Sequence, residues 1–385
     1  MLAQHFSRYR AANPGRLHFA AHSHHPWPDA TEAAHARYWT DAATLADRKW
    51  ERIFGEVVPA AQQHVARKLS LPDPAQVAFA PNTHEFVVRL YSCLPQGQRL
   101  RVLTTAHEFH SFRRQTRRMA EAGLVDVREV PLDPWDTFDA RFAAAAREDA
   151  WDLVWLSHVF FDSSFLVRDL EGICDAAPDN AMVAIDGYHA FCALPVDLSR
   201  VHRRAFYLAG GYKYAMSGEG ACFLAVPPRN RMRPVDTGWY ASFDRLADAQ
   251  GDVPYAESGQ RFWGATFDPS GLYRFIAAMD WLDGMRVTVE EIHRHSTGLQ
   301  KRFLDACARR GIEALAPRHL VPPPGAPRGN FLAFALPGAE QIHARIAAQQ
   351  VTIDRRGDRL RFGFGIYHDE AEVDRLVDAV ARALT

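Results

Sequence analysis

The chain has 385 residues, 48% of them hydrophobic, and its 45 basic and 46 acidic residues leave a formal charge of −1. That apolar fraction supports a sizeable core and excludes a disordered chain, and the lack of a basic excess argues against a nucleic-acid partner. The length is that of two domains, or of one large and one small.

The five cysteines, at 93, 174, 192, 222 and 307, show no paired spacing. They read as reduced thiols, the pattern of a cytoplasmic protein. The N-terminal MLAQHFSRYRAANPGRLHF lacks the apolar core of a signal peptide. No run of about 18 apolar residues offers a membrane span. Next comes a histidine-rich loop, Ala21-His22-Ser23-His24-His25-Pro26-Trp27-Pro28. Residues 30–70 are rich in Ala, with larger apolar residues at helical spacing, and are expected to be long helical segments.

From there short apolar runs alternate with helical stretches. Strands are expected at 77–80, 100–104, 125–130, 153–157, 182–185, 205–209 and 222–226, with helices at 84–94, 111–122 and 138–148 among them. This alternation implies a mainly parallel sheet covered on both faces, with ligands beyond the strand carboxyl ends. The Pro-, Gly- and aromatic-rich stretch 227–271 reads as irregular, and a long helical region is expected from about 271 to 310. After the loop PRHLVPPPGAPRGN come a strand at 331–335, a helix at 339–349, strands near 351–353 and 360–364, and a helix at 369–384. The expected fold is therefore α/β. A large domain, 61–275, holds a mainly parallel seven-stranded sheet. A small C-terminal α+β domain, 276–385, is joined by the N-terminal segment 1–60.

The stretch VAIDGYHAFCALPVDLSRVHRRAFYLAGGYKYAMSGEG, residues 183–220, is the most informative. Asp186 ends an apolar run and His189 follows three residues later. A second apolar run leads into Gly210-Gly211-Tyr212-Lys213-Tyr214. Apolar, aromatic neighbours desolvate a lysine and lower its pKa towards a useful amine. Pyridoxal phosphate (PLP) chemistry needs such a lysine for the Schiff base with the cofactor aldehyde. It also needs an acid that keeps the pyridine nitrogen protonated, so that the ring absorbs electrons from a substrate carbanion. A lysine in a glycine-rich loop is usually solvated, a reading that the apolar neighbours of Lys213 argue against, and Asp186 taken singly reads also as a cap or turn residue.

This stretch resembles the fold-type I PLP enzymes of the class V aminotransferase group, and within it most closely kynureninase. There an Asp-x-x-His motif precedes a Tyr-Lys-Tyr cofactor lysine and a glycine-rich turn. The matching elements are Asp186-Gly187-Tyr188-His189, Tyr212-Lys213-Tyr214 and Gly218-Glu219-Gly220. The resemblance implies the PLP-dependent transferase fold type I, PLP as cofactor, and Lys213 as its anchor and the acid or base at Cα. Asp186 becomes the pyridine-nitrogen partner and His189 a contact to the ring oxygen. The phosphate loop falls at Pro81-Asn82-Thr83-His84, where a polar turn opening a helix presents free N–H groups and a positive dipole end. Thr83 and His84 are its candidates, with ordinary capping by Asn82 or Thr83 as the alternative. Tyr212 is a further phosphate candidate.

In TTAHEFHSF (104–112) the resemblance assigns the ring-covering side chain to His110, with Phe109 as runner-up. In SHVFFDSS (157–164) it places Ser157 or His158 near the cofactor. In RFWGATF (261–267) it makes Thr266 a contact to the partner subunit's phosphate, and so implies a homodimer with shared active sites. In RLRFGFGIYHDEAEVDRLV (359–377) it makes Arg361 the clamp on the substrate carboxylate, a task suited to a planar two-pronged donor. Arg355, Arg356 and Arg359 are close enough in sequence to take that role instead.

Two departures bear on the reaction. Sulfur-transferring class V members carry a cysteine before the carboxylate-binding strand, whereas QQVTIDRRGDRLRF has none. Kynureninases carry an Asn-Ser-Leu-Gly type segment where this chain has the His22 loop. His22 is accordingly expected to face the substrate. The histidine cluster lacks Cys or carboxylate partners at metal-ligand spacing, so no metal is expected. The expected activity is PLP-dependent, acting on a small amino acid, with kynureninase-like hydrolysis of the Cβ–Cγ bond first. Transamination and β-elimination, including C–S lysis, come next. A non-catalytic PLP-binding protein and a zinc hydrolase are the remote alternatives.

Overall fold

The computed structural model of the protein describes residues 2–245 and 251–384. After a two-residue strand, β1 (Leu17–His18), come β2 (Val77–Ala80), β3 (Leu100–Thr104), β4 (Val125–Glu129), β5 (Leu153–Ser157), β6 (Met182–Asp186), β7 (Ala205–Gly210) and β8 (Cys222–Ala225). The last seven form one sheet in the order β2-β8-β7-β6-β5-β3-β4. Every pairing is parallel except the two made by β8. Strands β5 to β8 are buried at every position, which is why they read as unbroken apolar runs rather than alternating ones. At the edge, β4 is Val-Asp-Val-Arg-Glu, and its charged residues mark a strand with one free side. The fold is the expected α/β architecture with a seven-stranded, mostly parallel sheet.

The C-terminal part holds β9 (Phe331–Ala335), β10 (Val351–Thr352), β11 (Asp354–Arg356) and β12 (Arg359–Gly363). Strands β11, β12 and β9 form an antiparallel sheet, and β10 pairs in parallel with β1. A second hydrophobic core joins Leu17 and Phe19 to Phe303, Phe334, Phe362 and Leu376. The rest of the N-terminal segment packs elsewhere. Phe6, Ala21, Ile53 and Val57 belong to the core around the large sheet. The helix Ala30–Leu45 lies along the helix Ser270–Gly284, where Tyr273 donates to Asp41 at 2.9 Å.

One expectation is refined. The long helical region expected from about 271 to 310 is divided into two helices, Ser270–Gly284 and Val289–Arg309. Arg286 takes a left-handed conformation (φ 55°), and Thr288 with Glu291 builds a reciprocal capping box that restarts the helix. In the irregular stretch 227–271, the described residues make only short 3-10 turns within Trp239–Arg245 and at Gly259–Phe262, and residues 246–250 lie outside the described residues. No helix among the described residues is long and apolar enough to cross a membrane.

The parallel register sets Ser157 beside Asp186, and Asp186 beside Leu208, at the carboxyl ends of β5, β6 and β7. The loops that leave these ends meet β12 and the histidine-rich loop, and the candidate site lies between them.

Candidate active site

Lys213 lies just past β7, which leaves the sheet through Gly210 and Gly211. Only glycine fits at 210, because a Cβ there would run into the Tyr188 hydroxyl. The amine is buried and donates to the His22 carbonyl at 3.3 Å. The rings of Tyr212, Phe109 and Tyr188 stand 4.9, 5.7 and 5.9 Å from Nζ. Burial, and then the Arg361 charge, pull the amine down from 10.5 to about 7 against the attraction of Asp186 and Asp354. A large unprotonated fraction, the nucleophilic form, is therefore present at neutral pH.

Asp186 ends β6, where its Oδ1 accepts from the Tyr188 N–H at 3.0 Å. Burial raises its pKa to about 6, and the Tyr188 hydrogen bond and the Lys213 charge oppose that rise. His189 is buried with neither ring nitrogen hydrogen-bonded, 5.4 Å from the Phe331 ring. Burial first, and then Lys213 and Arg361, keep its imidazole neutral.

Arg361 comes from β12 and faces Asp354 of β11. It is the buried member of the four nearby arginines. Arg355 approaches Glu340 (3.6 Å), Arg356 reaches Asp354 (3.0 Å), and Arg359 pairs with Asp162 (2.9 Å). The Arg361 guanidinium bonds the Asp354 carboxylate and the Phe161 carbonyl, and its Nε is buried without a partner. Burial lowers its pKa to about 10, opposed by Asp354. His22 is fully buried, stacked on Phe331 at 4.4 Å and 17°, with its ring 6.4 Å from that of His189.

Lys213, Asp186, His189, Arg361 and His22 are thus brought together, with the Tyr212 and Phe109 rings beside the amine, whereas His84, His110 and Thr266 are exposed. Of the two ring-cover candidates, Phe109 faces the Lys213 amine. His110 is exposed, and its ring packs on Phe161 at 5.4 Å. Thr83 is buried at the start of the helix Thr83–Ser92, 3.8 Å from the Cys222 sulfur, while His84 is exposed and Asn82 caps the helix at Glu85 N (3.2 Å). Tyr212 is half-buried against Tyr188, with ring centroids 5.0 Å apart. Thr266 is exposed in a separate cleft of about 230 Å³ that it shares with Pro81, Glu85 and Trp263. The histidine loop diverges. His25 binds the Pro26 carbonyl at 2.7 Å, and His24 is exposed beside Tyr212. Among the described residues no cluster of three or more His, Cys, Asp or Glu side chains is placed to hold a metal.

Ser157 and His158 are both committed to neighbours. The Ser157 hydroxyl donates to Glu108 at 2.6 Å, and His158 Nδ1 lies 3.1 Å from the Tyr207 hydroxyl. Glu108 is the residue that the sequence reading missed. Its other oxygen accepts from Thr105 at 2.8 Å, and burial raises its pKa to about 8, with the Asp186 charge adding to the rise and the two hydroxyls opposing it. The available signal was an acid two residues before His110, in the loop that follows a strand.

Buried polar groups without partners are rare, so their convergence here is informative. His189 and Arg361 Nε, both buried without partners, lie within the electrostatic reach of the Lys213 amine, which in turn feels the Asp186 carboxylate. PLP fits this set. Lys213 would anchor it, Asp186 would face the pyridine nitrogen, His189 the ring oxygen and Phe109 the ring face.

The family model "Aminotransferase class-V" matches residues 26–376. Isopenicillin N epimerase of Streptomyces clavuligerus is 25% identical over 352 residues, 83% of either chain. A cysteine desulfurase of Haloferax volcanii is 24% identical over 332 residues, 80% of this chain and 74% of that one. The solved structure of a cystine C-S lyase with cysteine persulfide superimposes with a TM-score of 0.79 at 19% identity, covering 96% of this chain and 98% of that one. The apo cysteine desulfurase of Thermococcus onnurineus gives 0.78 at 16% identity, covering 96% and 94%.

Proposed function

The chain belongs to the class V aminotransferase family and is a PLP-dependent enzyme, and on that premise we propose that it cleaves the side chain of a small α-amino acid. Kynureninase-like hydrolysis of a Cβ–Cγ bond is the first reading and C–S cleavage the related one. The observation that carries the amino-acid substrate is the meeting of one buried, partly unprotonated amine with one buried guanidinium in a site walled by Phe109, Phe161 and Phe331.

PLP, when bound, supplies the electron sink that stabilises negative charge at the substrate Cα. The chain supplies the rest. Arg361 holds the α-carboxylate and so orients the substrate. Lys213 Nζ takes or returns the Cα proton, and an amine titrating near neutrality suits both directions. The Asp186 carboxylate would face the ring nitrogen and favour its protonated form, and a positive charge there would in turn favour the ionised acid. The aromatic walls exclude bulk water, which strengthens these interactions.

Sulfur transfer to a cysteine of the chain is disfavoured. Burial lifts all five thiols to about 12, and the β11–β12 hairpin carries no cysteine. A homodimer with shared sites is part of the proposal. Its support is Thr266, exposed beside the start of the helix Thr83–Ser92 rather than near Lys213 of its own chain.

The test incubates PLP-loaded enzyme with L-kynurenine, L-cystine, and L-alanine plus pyridoxal-free 2-oxo acids, and identifies products. Release of an aromatic acid with alanine, or of a sulfur fragment with pyruvate, supports the reading. Amino transfer alone overturns it. Borohydride reduction followed by peptide mapping should find the cofactor on Lys213, and a label on another lysine removes the anchor.

A further inference from the structure

We infer that His22 is a second proton-transfer group, serving the substrate beyond Cα while Lys213 serves Cα; the inference rests on the function proposed above. Three observations converge on it. The ring is fully buried, and neither nitrogen has a hydrogen-bond partner among the described residues. An unpaired buried imidazole is costly, and a ligand in the site would relieve that cost. The ring is also held in place. It stacks on Phe331, and residue 363 of β12 must be glycine because a Cβ there would run into His22 Nδ1. Finally, the His22 carbonyl holds the Lys213 amine at 3.3 Å, so the loop that carries the ring is tied to the reacting nitrogen.

The placement separates the two roles. With the α-carboxylate on Arg361 and the α-nitrogen near Lys213, the substrate side chain is left to the remaining wall. Arg361 already covers part of that wall, with its guanidinium 5.7 Å from the Phe331 ring, and His22 stacks on the same ring. Burial, Arg361, His189, Lys213 and Arg356 all favour the neutral imidazole. A neutral imidazole offers one acceptor and one donor nitrogen, the form needed by a general base.

In hydrolysis, water attacks the carbonyl carbon Cγ and an O–H proton passes to His22. The new C–O bond makes Cγ tetrahedral. The Cβ–Cγ bond then breaks, its electron pair goes to Cβ, and His22 returns the proton there. The products are a carboxylic acid and a methyl group, and His22 ends neutral. The surrounding cations oppose a lasting imidazolium and so favour the return step.

The experiment compares wild type with H22F, which keeps the stacking, and H22Q, which keeps a hydrogen bond, all loaded with PLP and checked for cofactor absorbance. Two reactions are followed: deuterium exchange at Cα of L-alanine in heavy water, and cleavage of L-kynurenine. Exchange should stay within about 3-fold of wild type, while cleavage falls by about 10²–10⁴, the usual worth of a general acid–base group. Cleavage that survives in both variants overturns the role of His22 and leaves the proposed function standing. An equal fall of both reactions shows His22 to be merely structural. A wild type that exchanges alanine but cleaves no kynurenine overturns the hydrolytic reading together with this role.

Discussion

Arg361 and Asp354 face each other across the β11–β12 pair, guanidinium to carboxylate, with side chains only 3% and 11% exposed. The candidate clamp for the substrate carboxylate is thus held by a carboxylate of the chain, and a substrate has to compete with it. Asp354→Asn weakens the competitor. KM for amino acids should fall about 5- to 10-fold, the difference between a charged and a neutral hydrogen bond. Tm should fall too, because a buried charge loses its partner. Steady-state kinetics and thermal melts check this; an unchanged KM means that Asp354 does not occupy the carboxylate position.

Lys213 should make the apo protein more stable as pH rises. Its folded pKa is lowered to about 7 from 10.5, so between those values the unfolded chain binds the extra proton. Stability lost to this group is fully lost below about 7 and recovered above about 10.5. Lys213→Met should therefore raise Tm most near pH 6 and least near pH 10. A Tm difference that does not vary with pH would show that the amine is not buried as a charge.

Glu108 should act in the opposite sense. Its folded pKa is raised to about 8 from 4.5, so between those values the folded chain binds the extra proton and stability falls as pH rises. Glu108→Gln keeps the shape and can still accept from one hydroxyl, but carries no titration. The wild-type decline from about pH 5 to 8 should flatten in the variant, as read by melts across that range. Parallel profiles would place the Glu108 pKa in the ordinary carboxylate range.

Asp186→Asn preserves the outline of the side chain and removes its charge. Turnover should fall by orders of magnitude while the holoenzyme still retains PLP, because the ring nitrogen then lacks the anion that keeps it protonated. Near-normal turnover would make Asp186 a structural cap for Tyr188.

Subunit mixing tests the shared site. Lys213→Ala and Thr266→Ala proteins, each inactive alone, should regain part of the wild-type activity when exchanged into heterodimers. A fully active monomer at assay concentration, or mixing without recovery under proven exchange, removes Thr266 from the site.

The sequence alone carried the sheet. Strands buried on both faces must be continuous apolar runs, so the segments around Val183 and Leu208 were visible without coordinates, as was an acid placed where one of them ends. A lysine among glycines and aromatics was legible for the same local reason. Residues whose meaning depends on distant neighbours were not. Glu108 is one acid among 46 acidic residues until folding puts Ser157 and Thr105 against it and takes it out of water. Four arginines near β12 look alike in sequence, and only the hairpin register buries Arg361 and hands it Asp354. Phe109 and His110 are adjacent, and only the turn into the helix His110–Glu121 sends the first to Lys213 and the second to solvent. Local patterning determined the elements, because period and polarity are properties of neighbouring residues. The tertiary structure decided protonation and pairing, because these depend on burial and on charges brought close from far along the chain.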